Sequence, residues 1–404
     1  MAALEEGLLA ALMRDGCGLL EAFFRQHVPE CAGQRRPGER HYRHRHLQVH
    51  SVLGRFSLWR DYFYDGENGR APLDEQFGLK DGLTPGLQRL MSRAGAMSGS
   101  FEQASDDLKA YARLDVPGRS IQRLTAVVGP DIQSWMQARP TTVSDPVPKV
   151  LYVSYDGTGV PMARSETRGR KGKQPDGSAK GREVKLGCVF TQLRTTQGEP
   201  PLRDPDSTTY VASFGEASDF GGLIRKEAQL RGLAHAQKVV VLGDGAPWIW
   251  EVARVNFPGA TCILDLFHAY EHVNEIAAIA YPNESPKTGH ARQWRHWLKA
   301  GKVDRFIATA KRRARTRPTQ KQEILRALQY FLNNRARMQY AKFRRAGLFV
   351  GSGVVEAGCK TVVGQRTKQS GMFWHVQGAQ HVLSTRCAIL GNLFDSYWAK
   401  RKPA

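Results

Sequence analysis

The order of the apolar segments after residue 148 restricts the possible folds more than any other feature of this sequence. Three strands come first, and two further strands then alternate with helices. Short β-branched or alternating apolar runs predict strands, and apolar residues at a 3.6-residue period predict helices. The predicted elements are strands at 150–155, 184–193, 210–214, 239–242 and 262–264, with helices at about 223–232 and from Pro247.

Strands that first follow one another and then alternate with helices indicate an α/β fold with a mixed sheet. Three early strands followed by β-α-β-α is the order of an RNase H-like core. We predict that residues 148–281 and 347–398 form this core. The segment 164–182, rich in Gly, Pro and charge, is expected to be a loop inside the first hairpin.

The segment between the two parts of the predicted core is basic and helical in pattern. Residues 281–350 hold 18 Lys and Arg against three acids, a net +15 out of the +21 of the whole chain. We predict an all-α insertion at 282–346. Such a local surplus favours a polyanionic partner, above all double-stranded DNA, because neutralised phosphates release counterions. The predicted phosphate-contacting residues are Arg312, Arg313 and Arg315.

The region 1–145 is predicted to be mainly helical and to bind DNA. A helix at 4–27 precedes a basic tract at 35–50, and residues 47–59 alternate as a pair of strands. Two apolar stripes within 99–129, joined by a tight turn, resemble a helix-turn-helix. Plain packing of two helices is an equal alternative. The Pro-rich stretch 139–148 is the expected boundary.

Composition also indicates where the protein acts. No apolar run approaches the roughly 20 residues that span a bilayer, so we expect no membrane association. The six cysteines include no CxxC pair, a pattern typical of reduced thiols in the cytosol. We therefore expect a cytoplasmic, nucleoid-associated protein.

Three acidic residues are the candidate catalytic and metal-binding groups. Asp156 is predicted to close the first strand, and Asp244 follows the strand at 239–242 within Gly-Asp-Gly. Glu356 is expected in the first turn of a helix. Each has a structural alternative, either a turn-capping aspartate or a favourable charge near a helix N-terminus. Because sites collect at the carboxyl ends of strands, a shared site is the stronger interpretation for the two aspartates.

Three carboxylates gathered in one place would repel one another unless a divalent cation compensated them. Oxygen ligands of this kind imply Mg²⁺ or Mn²⁺. Paired ions would require the carboxylates of Asp156, Asp244 and Glu356 to lie within about 4–6 Å of a common point.

These acids stand 88 and 112 residues apart, in the order Asp, Asp, Glu, and several sequence motifs surround them. The motifs are residues 155–161 (YDGTGVP), 181–185 (GREVK), 243–246 (GDGA), 265–268 (DLFH) and 353–374, which ends in GMFW.

In these motifs the chain resembles DDE transposases of bacterial insertion sequences, most fully the ISKra type, over about residues 40–398. The resemblance implies an RNase H-like fold, metal ligation by Asp156, Asp244 and Glu356, and hydrolysis and strand transfer at element ends. It also implies an oligomer, expected to be a dimer, acting on DNA. Many such transposases carry a Cys pair in the N-terminal region that suggests a zinc ribbon, but here the comparable stretch, residues 62–69, has no cysteine.

The resemblance suggests roles for three further residues. Asp265 and His268 match a D-x-x-H pair, and His268 is a candidate for positioning the scissile phosphate or flipped DNA. A helix-start Asp with a packed His is an equally good interpretation. Arg366 and Lys368, near the Glu356 helix, are expected to contact the DNA backbone.

Two other functions remain open at this stage. A nuclease on the same fold would cleave DNA without joining it. A domesticated DNA-binding protein would keep the fold without chemistry, although all three acids are present here.

Overall fold

The computed structural model describes residues 1–140, 147–172, 174–193, 200–285 and 289–401. Its contacts divide the chain into two units, Met1–Ile132 with Leu393–Ala404, and Gln133–Asn392. The predicted boundary falls partly outside the described residues. Within the described part, no helix has both the length and the apolar character needed to cross a membrane.

The first unit combines helices with a small antiparallel sheet. The sheet is more extensive than the predicted strand pair, because the tract from Arg40 onward is the first strand of a long hairpin. Two of its helices, α2 and α3, were not anticipated, since each begins at a proline that reads equally well as a turn signal. The elements are α1 Ala2–Ala32, β1 Arg40–Ser51, β2 Gly54–Tyr64, β3 Gly69–Arg70, α2 Pro72–Phe77, α3 Pro85–Met97, α4 Phe101–Ala112 and α5 Gly118–Ala138.

The second unit is built on a five-stranded mixed sheet. The strands are β4 Val150–Pro161, β5 Gly181–Thr191, β6 Thr209–Ser213, β7 Lys238–Gly243 and β8 Thr261–Leu264. Their order is β6-β5-β4-β7-β8. β4, β5 and β6 pair antiparallel, whereas β7 and β8 run parallel to β4. The five strands predicted from the apolar pattern are therefore confirmed as one mixed sheet.

Helices connect and cover these strands. The predicted loop between β4 and β5 contains one short helix. Before the basic segment lie α6 Arg164–Thr167, α7 Ala217–Leu230, α8 Pro247–Asn256 and α9 Leu266–Ala280. The segment itself forms α10 His290–Lys299, α11 Val303–Arg315, α12 Lys321–Asn334 and α13 Tyr340–Arg345. After it come α14 Gly353–Gly358, a π-helical turn Cys359–Gly364, α15 Gln365–Thr367, α16 Val376–Leu390 and α17 Phe394–Lys400, which belongs to the first unit.

The basic segment has an apolar core of its own. Trp294, Phe306 and Phe331 are fully buried. The ring of Phe306 meets the other two edge-to-face, with centroids 5.2 Å and 4.8 Å apart. These contacts join α10, α11 and α12, and edge-to-face pairs add to the burial of aromatic area. Most of the cationic side chains are thereby left exposed on the surface of a packed helical body.

We predict that Phe306→Ala will lower the free energy of unfolding by about 3–5 kcal/mol, because it opens a cavity between three helices. Denaturation followed by tryptophan fluorescence would measure it. Leu325→Ala on α12 is the control: that side chain is exposed, so the expected change is within about 0.5 kcal/mol. Equal losses in the two variants would contradict this packing.

Candidate functional site

Asp156 and Asp244 lie at the same edge of the sheet because β4 extends beyond the end of its parallel neighbour β7. The parallel pairing of β4 with β7 ends at Ser154 and Leu242, and Asp244 follows the last residue of β7. β4 continues against β5, so Asp156 lies in mid-strand opposite Leu186. The prediction that Asp156 closes its strand is wrong, because β5 supplies hydrogen-bonding partners beyond the glycines that suggested an end. The pairing places both residues at this edge of the sheet, and a shared site there stays a prediction.

Asp156 is a half-buried carboxylate with few compensating charges. The backbone N–H of Gly157 donates to its Oδ1 at 2.6 Å, and the Cys359 thiol lies 3.8 Å from its Oδ2. Burial and the negative charge of Asp244 raise the pKa of Asp156, and the hydrogen bond from the Gly157 N–H and the charge of His268 oppose them only in part. The pair of aspartates is therefore a region of unbalanced negative potential.

The turn that carries Asp244 is held by the helical insertion. The N–H of Ala246 donates to Asp244 Oδ1 at 2.9 Å, and the Tyr330 hydroxyl donates to the Asp244 carbonyl at 2.5 Å. Gly245 has a φ of 106°, and a Cβ there would come within 2.6 Å of the Tyr330 ring. Gly245, the second glycine of Gly-Asp-Gly, is thus required by its close contact with Tyr330 of α12. The sequence pattern does not reveal this contact.

Glu356 lies in the first turn of α14, as predicted, and Ser352 links it to Asp265, which follows β8. The Ser352 hydroxyl is 2.9 Å from Glu356 Oε1 and 2.9 Å from Asp265 Oδ2. The Ser352 backbone N–H also donates to Asp265 Oδ2. Because a hydroxyl has one proton to donate, the two carboxylates compete for it. Ser352 is a site residue that the sequence analysis missed, and its only signal was the Gly-Ser-Gly before the helix.

Asp265 is fully buried and caps α9, where its Oδ1 accepts the N–H of His268 at 2.7 Å. Burial alone would raise the pKa of Asp265, but hydrogen bonds from His268 and Ser352 outweigh it and the pKa is lowered. The helix-start aspartate of the structural alternative is therefore present. A catalytic role for His268 stays a prediction.

His268 lies between two of the carboxylates. Its Nδ1 is 3.3 Å from Asp265 Oδ1 and 3.9 Å from Glu356 Oε1, and about one third of the side chain is exposed. The neighbouring Asp265 carboxylate raises the pKa of His268 to about 9, against the effect of burial, with help from Glu271 and Glu356. The imidazole is consequently protonated at neutral pH and accessible to a ligand.

The ligand atoms of Asp265, His268 and Glu356 lie within 4.8 Å of one another, close enough to hold a metal ion. Asp156, Asp244 and Glu356 do not form so close a group in the described structure. The strand pairing brings the two aspartates together, and the Ser352–Asp265 contact brings Glu356 beside His268.

The two cations predicted to contact DNA next to Glu356 have different environments. Lys368 is exposed, and its Nζ donates at 2.6 Å to Thr158 Oγ1. Thr158 lies two residues beyond Asp156 on the same face of β4. Arg366 is fully buried, with its guanidinium 5.0 Å from the centre of the Trp374 ring. That burial, followed by the charge of Arg386, lowers the pKa of Arg366 to about 10.

Burial changes the interpretation of Arg366. A guanidinium enclosed by its own protein cannot reach a phosphate in this conformation. The predicted DNA contact by Arg366 is therefore corrected to an interior packing role, whereas Lys368 remains available.

The three arginines of the insertion that were predicted to contact DNA also differ in their exposure to solvent. Arg312 and Arg315 are exposed on the last turn of α11. Arg313 is half-buried: its Nε donates to the Ala280 carbonyl at 3.2 Å, and its guanidinium lies 4.3 Å from the centre of the Tyr281 ring. Arg313 thus joins α11 to the end of α9, and the other two present their charges to solvent.

No protein-family model and no curated protein matches the sequence. A solved structure described as a Drosophila P element transposase strand transfer complex is similar over 77% of this chain and 80% of that chain. The TM-score is 0.28 and the sequence identity is 10%. At that level the likeness carries no argument about this chain, whose function has to be inferred from its own residues.

We predict a pKa of about 9 for His268 in the metal-free protein, measurable by NMR titration. Asp265→Asn keeps an oxygen acceptor for the helix cap but removes the charge, so the His268 pKa should fall towards its ordinary 6.5. Because the folded-state pKa is raised, the stability that protonated His268 contributes is complete below about pH 6.5 and is lost as the pH rises through about 9.

Glu271→Gln is the control for this titration, because Glu271 acts on His268 through charge alone. It should lower the His268 pKa by less than Asp265→Asn does. An unchanged pKa in Asp265→Asn would mean that the two side chains are not paired in solution.

Proposed function

We propose that this chain is a DNA transposase, in which Asp156, Asp244 and Glu356 hold divalent cations and DNA is cut and joined at the ends of an insertion sequence. The observation that carries the proposal is the juxtaposition of Asp156 and Asp244 at one edge of the mixed sheet, where burial and mutual repulsion raise the pKa of Asp156. An acid with a perturbed pKa at the carboxyl edge of a sheet is typical of functional sites.

The strand arrangement supports an RNase H-like core. In chain order within the second unit, the five strands are arranged 3-2-1-4-5, with the first three antiparallel and the last two parallel to the first. This places the first and fourth strands side by side in the middle of the sheet. The first and second acids of the proposed triad lie on or directly after those two strands.

The donor chemistry of the site fits Mg²⁺ or Mn²⁺. Carboxylate oxygens are the ligands these ions prefer, and the protein compensates the negative charge of Asp156 only in part, through the Gly157 N–H and the charge of His268. Bound at these carboxylates, the cations would activate a water or 3′-hydroxyl and stabilise the leaving oxygen of an in-line displacement. The third carboxylate, Glu356, is oriented by Ser352 at 2.9 Å.

Two cationic side chains near the acids would bind the scissile strand. Lys368 is exposed and bonded to Thr158, on the face of β4 that carries Asp156. His268, protonated beside Glu356, is a third exposed. Both could donate charge-assisted hydrogen bonds to a non-bridging phosphate oxygen. In this proposal they position the phosphate and do not serve as bases.

The insertion would supply much of the general affinity for double-stranded DNA. Its exposed arginines stand outside an aromatic core, and backbone contacts of this kind carry little sequence information. Tyr330 links α12 to the Asp244 turn, so DNA held on the insertion would be held by a body that contacts the acidic edge. The proposed working form is a homo-oligomer on two element ends.

The central test uses Glu356→Gln, which keeps the size and the Ser352 contact of the side chain but removes its charge. Wild-type protein with Mg²⁺ and a pre-cut element end should join that end to a second duplex. The variant should bind the end as well as wild type, while joining falls by at least two to three orders of magnitude, because charge compensation at phosphorus is removed. Product strands separated on denaturing gels measure both cleavage and joining.

Each outcome has a definite meaning. Wild-type protein that binds the end and cleaves it without joining would be a nuclease, and protein that binds without either reaction would be a DNA-binding module. Joining by Glu356→Gln at the wild-type rate would remove Glu356 from the ligand set. Glu323→Gln, on the exposed surface of α12, is the control and should join normally.

The role of the insertion is tested by the salt dependence of DNA binding. Reversing both Arg312 and Arg315 to Glu should reduce the slope of log K against log salt by about 0.9 for each phosphate that the protein no longer neutralises. Lys238→Glu is the control, because Lys238 is exposed at the start of β7, away from the acidic edge. An unchanged slope in the double variant would make this face of α11 an ordinary solvated surface.

A further inference from the structure

The imidazole of His268 has a nitrogen atom whose bonding capacity is not used within the described residues. Its Nδ1 is buried and meets the geometry of a hydrogen bond with none of them. The nearest acidic atoms are Asp265 Oδ1 at 3.3 Å and Glu356 Oε1 at 3.9 Å. Charge-assisted hydrogen bonds between nitrogen and a carboxylate are shorter, at about 2.7–2.9 Å. A buried polar atom that faces two carboxylates without bonding to either needs an explanation.

The separations of these atoms resemble those between two ligands of one transition-metal ion. Zinc lies about 2.0–2.2 Å from imidazole nitrogen and carboxylate oxygen in tetrahedral sites, so two of its ligands are about 3.4 Å apart. The Nδ1–Oδ1 distance of 3.3 Å matches that value. The 3.9 Å to Glu356 requires a small rotation of a side chain that is 38% exposed. The three ligand atoms already lie within 4.8 Å of one another.

The hydrogen bonds around the two carboxylates leave the inner oxygen atoms available. Asp265 Oδ2 receives both the N–H and the hydroxyl of Ser352, and Oδ1 receives the backbone N–H of His268. Because a carboxylate oxygen has two lone pairs, Oδ1 keeps one that faces the imidazole. The Ser352 hydroxyl also contacts Glu356 Oε1 at 2.9 Å. Outer hydrogen bonds of this kind orient the ligands of a metal ion.

The ligand types distinguish this group from the pair of aspartates. Imidazole is a preferred ligand of zinc, cobalt and nickel, whereas Mg²⁺ favours oxygen ligands and keeps several waters. Asp156 and Asp244 offer oxygen alone, while the group at His268 offers nitrogen and two carboxylates. Glu356 is the one residue that both groups would use.

We propose that Asp265, His268 and Glu356 bind one Zn²⁺ ion, and that this ion inhibits the protein by withdrawing Glu356 from Asp156 and Asp244. Water would complete the coordination, because three protein ligands leave a fourth position open. Since a metal-bound imidazole must be neutral, the ion displaces the proton of His268. The binding of the ion is independent of the proposed function, whereas the inhibition rests on it.

Binding is tested on the full chain with Co²⁺ as a spectroscopic probe, without DNA or Mg²⁺. Wild-type protein should develop the visible absorption of tetrahedral Co²⁺, and one equivalent of Zn²⁺ should abolish it. His268→Ala should lose this absorption, and Glu356→Gln, which keeps the Ser352 contact, should weaken Co²⁺ binding by at least about tenfold.

His272→Ala is the matched control, because His272 lies one turn further along α9 and pairs with Glu275 instead. It should bind Co²⁺ as wild type does, and circular dichroism should show that all three variants are folded. Absence of the absorption in wild type, or equal binding by His268→Ala, would overturn the proposed ion site.

Inhibition is tested in the joining reaction with Mg²⁺ and a pre-cut element end. A small molar excess of Zn²⁺ over protein should stop joining by wild type and by His272→Ala. The Zn²⁺ concentration that halves the residual joining of His268→Ala should be at least about tenfold higher, since a ligand is missing. Equal sensitivity of wild type and His268→Ala would overturn the inhibitory role. Wild-type protein that joins nothing would refute the proposed function and the inhibition with it, whereas the Co²⁺ absorption would still establish the ion site.

Discussion

The candidate site depends on one buried carboxylate, that of Asp265. It caps α9, receives the backbone N–H and hydroxyl of Ser352, and lies beside His268. A buried charge costs several kcal/mol unless hydrogen bonds compensate it. Here His268 donates from before the insertion and Ser352 donates from after it. The Ser352–Asp265 contact therefore holds the chain after the insertion against the end of β8. It also positions Glu356, which is hydrogen-bonded to Ser352. The adjacent bond from Leu266 N–H to the Val350 carbonyl, at 2.9 Å, supports the same joint.

Positive and negative charges are distributed unevenly at the edge of the sheet where Asp156 and Asp244 lie. On one side, His268 supplies a positive charge beside Asp265 and Glu356. On the other, Asp156 and Asp244 repel each other in a half-buried setting, which raises the pKa of Asp156. A divalent cation would relieve that repulsion, whereas the exposed cations nearby suit a polyanion. His268 and Lys368 lie beside these acids, His268 next to Glu356 and Lys368 bonded to Thr158.

The insertion is more than a basic surface. Its aromatic core makes it a folded body, and Tyr330 connects that body to the turn carrying Asp244. Because Gly245 lies under the Tyr330 ring, displacement of α12 and rearrangement of the Asp244 turn are sterically coupled. The exposed arginines of α11 and the Tyr330 side chain that contacts the Asp244 turn thus belong to the same helical body.

The sequence by itself determined the element types, their order and the basic, helical character of the insertion, because apolar periodicity and net charge are properties of local stretches. It also identified Asp244 and Glu356 beside the correct elements. Only the tertiary structure decided that Asp156 lies in mid-strand, that Arg366 and Arg313 pack against aromatic rings, and that Ser352 bridges two carboxylates. Chemically equivalent arginines differ only in what distant segments place over them, and a hydrogen bond between residues 87 positions apart has no local signature. Periodicity reports which residues favour burial, whereas long-range packing determines which charges are buried and which remain available to a ligand.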